Sequence, residues 1–434
     1  MYDIFSLPDF KFPSDFVWGS ATAGHQIEGD NTNAQKYHQE VKRDIKEKSG
    51  KACNHYELFR EDVDMISDLG HQAYRCSLEW SRIEPTQGEF SQAALEHYKE
   101  LLVRVKERGM KTFVTLIHFT RPQWHEELGG FNKVENIAPF LRYVEKAVRY
   151  LDEFVDYWLV LNEETHLLHG VEIGFNRIRA HAQAYHVIKG ITDTPVSSAH
   201  LGMHSYPCRY YDELDRTMTL YEDFRINGCV LHAIQHGELI APLADAQDCP
   251  EAKGAMDFWA INHYTRHLVN SRSKSLYSPR FPHKKLRMID MDFSLEEMFP
   301  EGLTSILERF NDGRDVWVTE NGCSCADDRF RIVFLALYLS AVNDAIQRGV
   351  NLKGYLYWST MDNYEWGSFI PRFGMVHVDF ETFLRTPKPS AYFFKEMIEQ
   401  NGFSQEILRR YLHEMPSLVQ RSSGAPSVSP ATIS

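Results

Sequence analysis

The sequence predicts an α/β protein folded as a single (β/α)₈ TIM barrel. Eight short β-rich runs alternate with longer segments of helical periodicity. Most of these runs are continuously apolar, as parallel strands covered on both faces are. Eight is the strand number that closes such a barrel, and 434 residues lie within the range of barrels with insertions.

The predicted strands are bounded by turn residues and are rich in β-branched and aromatic residues. In chain order they are Phe16–Ala21, Ala73–Leu78, Thr112–Ile117, Trp158–Leu161, Ser197–Met203, Phe258–Asn262, Val316–Thr319 and Tyr355–Trp358. The fifth, Ser197–Met203, has the weakest pattern.

Helical periodicity fills the gaps between these strands. The predicted helices include Tyr56–Leu69, Gln92–Arg108, Ile137–Tyr150, His181–Lys189 and Ile332–Arg348. Asn54 is a candidate N-cap for the first of them. Gly70, Gly109 and Gly349 follow three helices at the position where a left-handed residue ends a helix.

The chain carries no internal repeat and no linker within its first 410 or so residues. We therefore expect one catalytic barrel over residues 1–415. Residues 416–434 are rich in Ser and Pro and poor in apolar side chains, which predicts a disordered C-terminal tail.

Composition argues against several classes of function. The net charge is −13, so nucleic acid and anionic lipid surfaces are not expected partners. The N-terminus lacks the basic start and apolar run of a signal peptide, and no stretch approaches the ~18 apolar residues of a membrane span. Seven scattered cysteines, an odd number, favour a reducing compartment. We expect a cytoplasmic protein, and the sequence leaves its oligomeric state open.

Polar side chains recur at the C-terminal end of seven of the eight strands. In a barrel these ends converge on one mouth, which is where barrel enzymes place their active sites. A single polar strand end is usually a cap, but the repetition indicates a site. The residues are Gln26, Glu28, Arg75, Glu79, His118, Asn162, Glu163, Asn262, Tyr264, Glu320, Asn321 and Trp358, with Glu365 and Trp366 in the following loop.

Two of these residues match the chemistry of glycosidic bond cleavage. One carboxylic acid must protonate the leaving oxygen, while a second carboxylate attacks carbon or activates water. Glu163 and Glu320 follow strands on opposite sides of the mouth, so their side chains can face each other across a substrate. Arg75 and Tyr264 could keep one carboxylate ionised, while burial keeps the other protonated. Trp358 and Trp366 offer apolar faces to a sugar ring.

Other motifs are weak. Gly19–Gly24 resembles the start of a phosphate loop, but His25 and Gln26 replace the required Lys-Ser/Thr pair. Cys323 and Cys325 lack a second ligand pair, so no metal site is predicted. His166 and His169 are one helical turn apart, which is more typical of a surface or substrate-lining pair than of metal ligands.

Eight segments in order resemble glycoside hydrolase family 1, the β-glucosidase family, over roughly residues 9–400. They read FPSDFVWGSATAGHQIEG (Phe12–Gly29), YRCSLEWSRIEP (Tyr74–Pro85), TLIHFTRPQW (Thr115–Trp124), LNEE (Leu161–Glu164), NHYT (Asn262–Thr265), VTENG (Val318–Gly322), GYLYWSTMDNYEW (Gly354–Trp366) and RFGMVHVDF (Arg372–Phe380). Each is moderately specific, and the ordered set is very specific.

The resemblance implies a role for each matching position. Glu320 is implied as the nucleophile and Glu163 as the acid/base. Arg75 and Tyr264 are implied to position Glu320, with Tyr264 also lining the substrate site and Asn262 supporting it. The implied ligands of the sugar in the −1 subsite are Gln26, His118, Asn162, Glu365 and Trp366, with Trp358 stacking beneath the ring.

Two positions depart from the family pattern. The residue after the acid/base is usually Pro and here is Glu164, which either raises the pKa of Glu163 or points away from it. The residue after His118 is often Trp and here is Phe119, which removes an indole N–H donor.

We therefore predict a retaining β-glycosidase that needs no metal or cofactor and acts on a small β-glycoside or oligosaccharide. β-Glucosidase activity is favoured, with galactosides and fucosides left open because Glu365 and Gln26 can bond either 4-hydroxyl epimer. The alternatives are a transglycosylating variant, a phospho-β-glycosidase and a non-catalytic sugar-binding protein. Glu365 argues against a phosphorylated sugar by charge repulsion, and retention of both glutamates argues against a non-catalytic binder. Hydrolysis versus transglycosylation, and the aglycone, stay undetermined.

Overall fold

The computed structural model describes residues 3–165, 170–272 and 297–414. Within them, eight parallel strands form a closed barrel in which each strand pairs with its neighbours in chain order. The strands are β1 (Val17–Ala21), β2 (Ala73–Ser77), β3 (Lys111–Ile117), β4 (Tyr157–Asn162), β5 (Val196–Leu201), β6 (Phe258–Asn262), β7 (Asp315–Glu320) and β8 (Leu352–Trp358). The predicted fold class is confirmed, and every predicted strand matches within a few residues.

Helices surround the barrel. The ring helices are α1 (His55–Asp68), α2 (Gln92–Glu107), α3 (Ile137–Leu151), α4 (Val171–Lys189), α5 (Glu213–Asp223), α6 (Cys229–His236), α7 (Pro300–Arg309), α8 (Asp328–Gln347) and α9 (Pro389–Gln400). A π-helix, Phe224–Gly228, joins α5 to α6. The other α-helices are Gly24–Ile27, Gln35–Lys42, Trp80–Ile83, Gln123–Glu127 and Gln405–Glu414.

Minor elements decorate the loops. The 3₁₀-helices are Ile4–Ser6, Gly130–Asn132, Val134–Asn136, Asp152–Phe154 and Pro250–Ala252. The two-stranded sheets pair Phe10–Lys11 with Gly402–Phe403, Ser205–Pro207 with His267–Val269, Glu238–Leu239 with Gln247–Asp248, and Val376–Val378 with Arg385–Pro387.

Apolar packing separates the barrel interior from the helical ring. Two larger clusters fill the space between barrel and helices, one on the side of β2–β4 and one on the side of β6–β8. A smaller cluster fills the lower interior of the barrel, which is therefore a packed core rather than a channel. It consists of Ala73, Phe113, Leu159, Ala199, Phe258, Ala260, Trp317 and Leu356.

Helix ends follow the sequence prediction with one exception. Gly70, Gly109 and Gly349 have φ values of +82°, +75° and +93°, as a left-handed residue after a helix requires. Asn54 holds the predicted N-cap position of α1, but its backbone is left-handed and its side chain makes no capping bond. Asn54 therefore lies at the predicted N-cap position, but the predicted capping by its side chain is wrong.

Helix α8 is an exception to the prediction that no segment approaches the length and apolar character of a membrane span. Among the described residues, α8 is long and apolar enough by length and composition. Most of its residues are buried against the barrel, so its apolar character reflects the core of the fold. The predicted tail and the pair His166 and His169 lie outside the described residues.

Candidate active site

The mouth of the barrel brings the predicted site residues together. Arg75, in the middle of β2, is fully buried and lies at the centre of the polar network. Its Nη1 donates to Glu320 Oε1 at 2.5 Å, and its Nη2 donates to Asn162 Oδ1 at 2.7 Å. Its Nε donates to Thr115 Oγ1 at 3.1 Å, which fixes the guanidinium plane. One cation therefore sets the positions of residues from β3, β4 and β7.

Glu320 ends β7 and is held by two strong donors. Besides Arg75, the Tyr264 hydroxyl donates to Glu320 Oε2 at 2.5 Å. Burial raises the pKa of Glu320, and the Arg75 charge and the Tyr264 hydrogen bond oppose that rise. Both carboxylate oxygens are thus fixed in direction, as an attacking group requires.

The turn after Glu320 is closely packed. A Cβ atom on Gly322 would lie 1.6 Å from the Trp358 carbonyl oxygen, so only glycine fits there. The glycine lets the end of β7 pass directly against the end of β8, which brings Glu320 and Trp358 to the same part of the mouth.

Glu163 follows β4 with a left-handed backbone, at φ +51°. Its amide donates to the Ala199 carbonyl at 2.7 Å, and the Asn262 Nδ2 lies 3.4 Å from its Oε1. Burial raises the pKa of Glu163 to about 8, and the neighbouring charge of Glu320 adds to the rise. The surroundings of Glu163 therefore favour its protonated form.

Two amides are oriented by the donors around them. Arg75 can only donate, so Asn162 must turn its Oδ1 toward it and its Nδ2 toward His118. Asn262 Oδ1 accepts from the Thr319 hydroxyl at 2.8 Å, which turns its Nδ2 toward Asn162 and Glu163. The predicted supporting role of Asn262 thus has a physical basis in the fixed direction of its amide.

His118 is neutral. Burial, reinforced by the Arg75 charge, lowers its pKa well below the usual value. Because its Nε2 faces the Asn162 amide at 3.4 Å, the proton resides on Nδ1. Among the described residues this Nδ1 and Gln26 Oε1 are buried without a partner, and sugar hydroxyls can satisfy both.

A second group of residues lies across the mouth. Gln26 Nε2 donates to Glu365 Oε2 at 3.1 Å and to Asn363 Oδ1 at 2.9 Å. Loss of hydration raises the pKa of Glu365 to about 8. The Trp358 and Trp366 rings each lie parallel to the His118 ring, at 5.5 Å and 6.2 Å. All the predicted substrate ligands therefore share one polar, aromatic-walled site.

Some strand-end residues are not part of this site. Glu28 pairs with Arg82 and accepts from Tyr98, and Glu79 accepts from Thr120 and from the His25 amide. Asn321 donates to the His263 carbonyl and accepts from Tyr355. These contacts hold the segments that follow the barrel strands in place.

Glu164 is turned away from Glu163. Its Oε1 lies 2.9 Å from His200 Nδ1, and the residue is buried rather than facing solvent. Although burial would raise the pKa of Glu164, the charge and hydrogen bond of His200 lower it below its usual range. Of the two alternatives for this departure from the family pattern, the structure supports the second.

The sequence did not single out Arg177. This residue lies on α4, is buried, and donates from Nη2 to the Asn162 carbonyl at 2.9 Å. The predicted helix began at His181, so Arg177 fell outside it. Among the described residues, no group of three or more His, Cys, Asp or Glu side chains could hold a metal ion.

Comparison with known proteins gives one consistent result. The sequence profile of glycosyl hydrolase family 1 matches residues 9–403. Beta-glucosidase A of Thermotoga maritima is 30% identical, with 90% of this chain and 98% of that protein aligned. Beta-glucosidase A of Acetivibrio thermocellus is also 30% identical, over 92% of this chain and 100% of that protein.

Solved structures agree with the sequence relatives. A beta-glycosidase from Pyrococcus horikoshii superposes with a TM-score of 0.84 at 33% identity, covering 93% of this chain and 98% of that one. A family 1 β-glucosidase from Thermotoga maritima in complex with isofagomine lactam superposes with a TM-score of 0.83 at 28% identity, covering 91% of this chain and 100% of that one.

Proposed function

Because the chain belongs to glycosyl hydrolase family 1 and is a retaining β-glucosidase, we propose that Glu320 is its nucleophile and Glu163 its general acid/base. One observation carries this assignment. The two buried carboxyl groups have opposite surroundings, with a cation and a phenol at 2.5 Å from Glu320 and a raised pKa of about 8 for Glu163. The first is built to attack carbon and the second to donate a proton.

In the first step, a Glu320 carboxylate oxygen attacks the anomeric carbon from below the sugar. The bond from that carbon to the leaving oxygen breaks as Glu163 transfers its proton to the oxygen. The aglycone departs as an alcohol or phenol, and the sugar remains bound to Glu320 as an ester with inverted configuration.

In the second step, Glu163 is ionised and takes a proton from water. The water oxygen forms a bond to the anomeric carbon, and the ester bond to Glu320 breaks. The carboxylate of Glu320 and the acid form of Glu163 are regenerated. Two inversions restore the β-configuration of the released sugar.

We assign the −1 subsite to the residues that surround the two glutamates. The neutral His118 donates from Nδ1, while Gln26, Asn162 and Glu365 offer further polar groups to the hydroxyls. Trp358 and Trp366 present ring faces to the sugar. Glucosides are the expected substrates, and β-D-galactosides and β-D-fucosides are tested beside them because Gln26 and Glu365 can bond either 4-hydroxyl epimer.

The configuration of the first product tests the mechanism. Proton NMR of the early reaction mixture, with an aryl β-D-glucoside as substrate, should show β-glucose first and α-glucose only after mutarotation. An α-anomer appearing first would mean that a water molecule attacks directly, and the role of Glu320 as nucleophile would be wrong.

We also propose that the protein works in a reducing, cytoplasmic environment. This proposal is supported by its seven cysteines, all of which are free thiols.

A further inference from the structure

A cavity of about 180 Å³ opens beside the mouth of the barrel. It lies between the helix Gln35–Lys42, the loop that follows β3, the 3₁₀-helix Gly130–Asn132 and α4. Its apolar wall is formed by Ile117, Phe119, Phe131 and Ile173. The remaining lining is polar, and it is the charge of this lining that distinguishes the cavity.

Three cations line the cavity, namely Lys36, Arg121 and Arg177, and none of its described lining residues is acidic. The chain as a whole carries a net charge of −13, so the positive charge of this lining is opposite in sign to that of the protein. Arg121 pairs with Glu126, whereas the Lys36 ammonium makes no ion pair with any described residue. It instead lies 5.3 Å from the centre of the Trp366 ring.

The cations of the lining repel one another. Burial lowers the pKa of Lys36, the positive charges of Arg121 and Arg43 lower it further, and the carboxylates of Glu126 and Glu40 oppose this shift. Burial lowers the pKa of Arg177 to about 10 although the charges of Glu164 and Glu163 oppose the shift, and the guanidinium stays protonated at neutral pH. An anion placed among these groups would relieve their mutual repulsion.

The cavity adjoins the acid/base side of the active site. Arg177 donates to the carbonyl of Asn162, the residue directly before Glu163. Phe119 forms a shared wall, because its ring contacts those of His118 and Trp366 at 5.2 Å and 5.4 Å. The acid/base delivers its proton to the leaving oxygen, so a leaving group held beside Glu163 would extend toward the cavity that Arg177 lines.

We propose that this cavity is a leaving-group subsite that selects aryl aglycones bearing a carboxylate. The apolar wall at Phe119 and Phe131 accepts an aromatic ring, while Lys36, Arg121 and Arg177 receive the negative charge. This inference rests on the proposed function, since it needs Glu163 to be the acid that faces the leaving group.

The test compares two substrates that differ only in the charge of the aglycone, 4-carboxyphenyl β-D-glucoside and 4-carbamoylphenyl β-D-glucoside. The measured quantity is the ratio of their kcat/KM values in the wild type and in variants. Comparing this ratio between proteins cancels the difference in intrinsic reactivity of the two phenols. In K36M the ratio should fall by about 10-fold, and in K36E it should fall further.

Lys42→Met is the matched control, because Lys42 lies on the same helix, is exposed and carries the same charge. This variant should keep the wild-type ratio. Equal ratios in wild type, K36M and K36E would overturn the subsite, as would a loss in K42M as large as in K36M. A wild type that cleaves neither substrate nor any simple aryl β-glucoside would instead overturn the proposed function, so the two failures are distinguishable.

Discussion

Glu163 and Glu320, the two glutamates to which we assign catalysis, are the same residue type in two different electrostatic settings. Glu320 receives a guanidinium and a phenol, each at 2.5 Å, whereas Asn262 Nδ2 lies 3.4 Å from Glu163 Oε1. Both groups are buried, and burial alone raises the pKa of each. Directed donors, rather than depth of burial, therefore favour the ionised form of Glu320 over that of Glu163.

The largest effect should come from removing the attacking oxygen. Glu320→Gln keeps the size of the side chain, but an amide cannot attack carbon, so kcat should fall by at least ~10⁴-fold on every substrate. Steady-state hydrolysis of an aryl β-glucoside measures the loss. Thermal unfolding of the variant serves as the control for an intact fold.

Covalent trapping identifies the nucleophile independently. A 2-deoxy-2-fluoro glucoside with a good leaving group should label the wild type, and peptide mass analysis should place the label on Glu320. A label on any other carboxylate would show that Glu320 is not the nucleophile.

A smaller and substrate-dependent effect is expected for Glu163→Ala. Poor leaving groups need protonation, so their kcat/KM should fall by about 10²–10⁴-fold, while activated aryl glucosides should still form the glycosyl-enzyme. Hydrolysis of that intermediate should slow because no base activates water. Added azide should restore turnover and yield a β-glucosyl azide, because an anion needs no deprotonation.

In the wild type, the pH dependence of kcat/KM reports the protonation state of Glu163. Glu163 must be protonated to act as an acid, so kcat/KM should decline as pH rises through about 8, the raised pKa of this group. The Glu163→Ala variant should lack this decline. Equal losses for good and poor leaving groups, with no azide rescue, would indicate a different acid.

The smallest effect on catalysis should come from Glu164→Gln. Because Glu164 contacts His200 and turns away from Glu163, the basic limb of the pH profile should stay within about 0.3 units of the wild type. Breaking a buried charged hydrogen bond should instead lower the free energy of unfolding by about 1–3 kcal/mol. Chemical denaturation at several pH values measures this loss.

The sign of the pH dependence follows from the lowered pKa of Glu164. A carboxyl group with a lowered pKa in the folded state stabilises the fold above its unfolded pKa, and this contribution is lost as pH falls. The difference between variant and wild type should therefore be largest near neutral pH and shrink in acid. Glu399→Gln, at an exposed position on α9, is the control and should leave stability unchanged. A shifted basic limb in Glu164→Gln would show that this charge does act on Glu163.

The sequence predicted the barrel strands well because each is a short buried run with turn residues at its ends. It predicted α4 poorly, starting the helix at His181 when it starts at Val171. This helix buries residues on several sides, including Phe175, Asn176 and Arg177, so its apolar residues show little helical periodicity. Hydrophobic periodicity therefore does not reveal where a helix buried on several sides begins.

The predicted and the missed site residues differ in what determines their positions. Glu163, Glu320 and Arg75 could be inferred because strand ends of a parallel barrel must converge. Arg177 and the pairing of Glu164 with His200 depend on which helix face and which strand approach the mouth. Such contacts between distant segments are fixed only when the barrel has closed. The left-handed backbone at Phe119, Glu163 and Trp366 is equally invisible in sequence, because none of them is a glycine.

The closing seam of the barrel also constrains how the protein is made. β1 pairs with β8, with Val17 opposite Gly354, and the Trp18 indole donates to Asn401 at 2.9 Å. β1 can therefore pair with β8, its second neighbour, only after nearly the whole chain has been synthesised. During synthesis on a ribosome, the emerging N-terminal half exposes an unpaired strand edge, and closure of so long a loop is slow. Protection of this edge by a chaperone should increase the yield of active enzyme more than it changes the stability of the finished barrel.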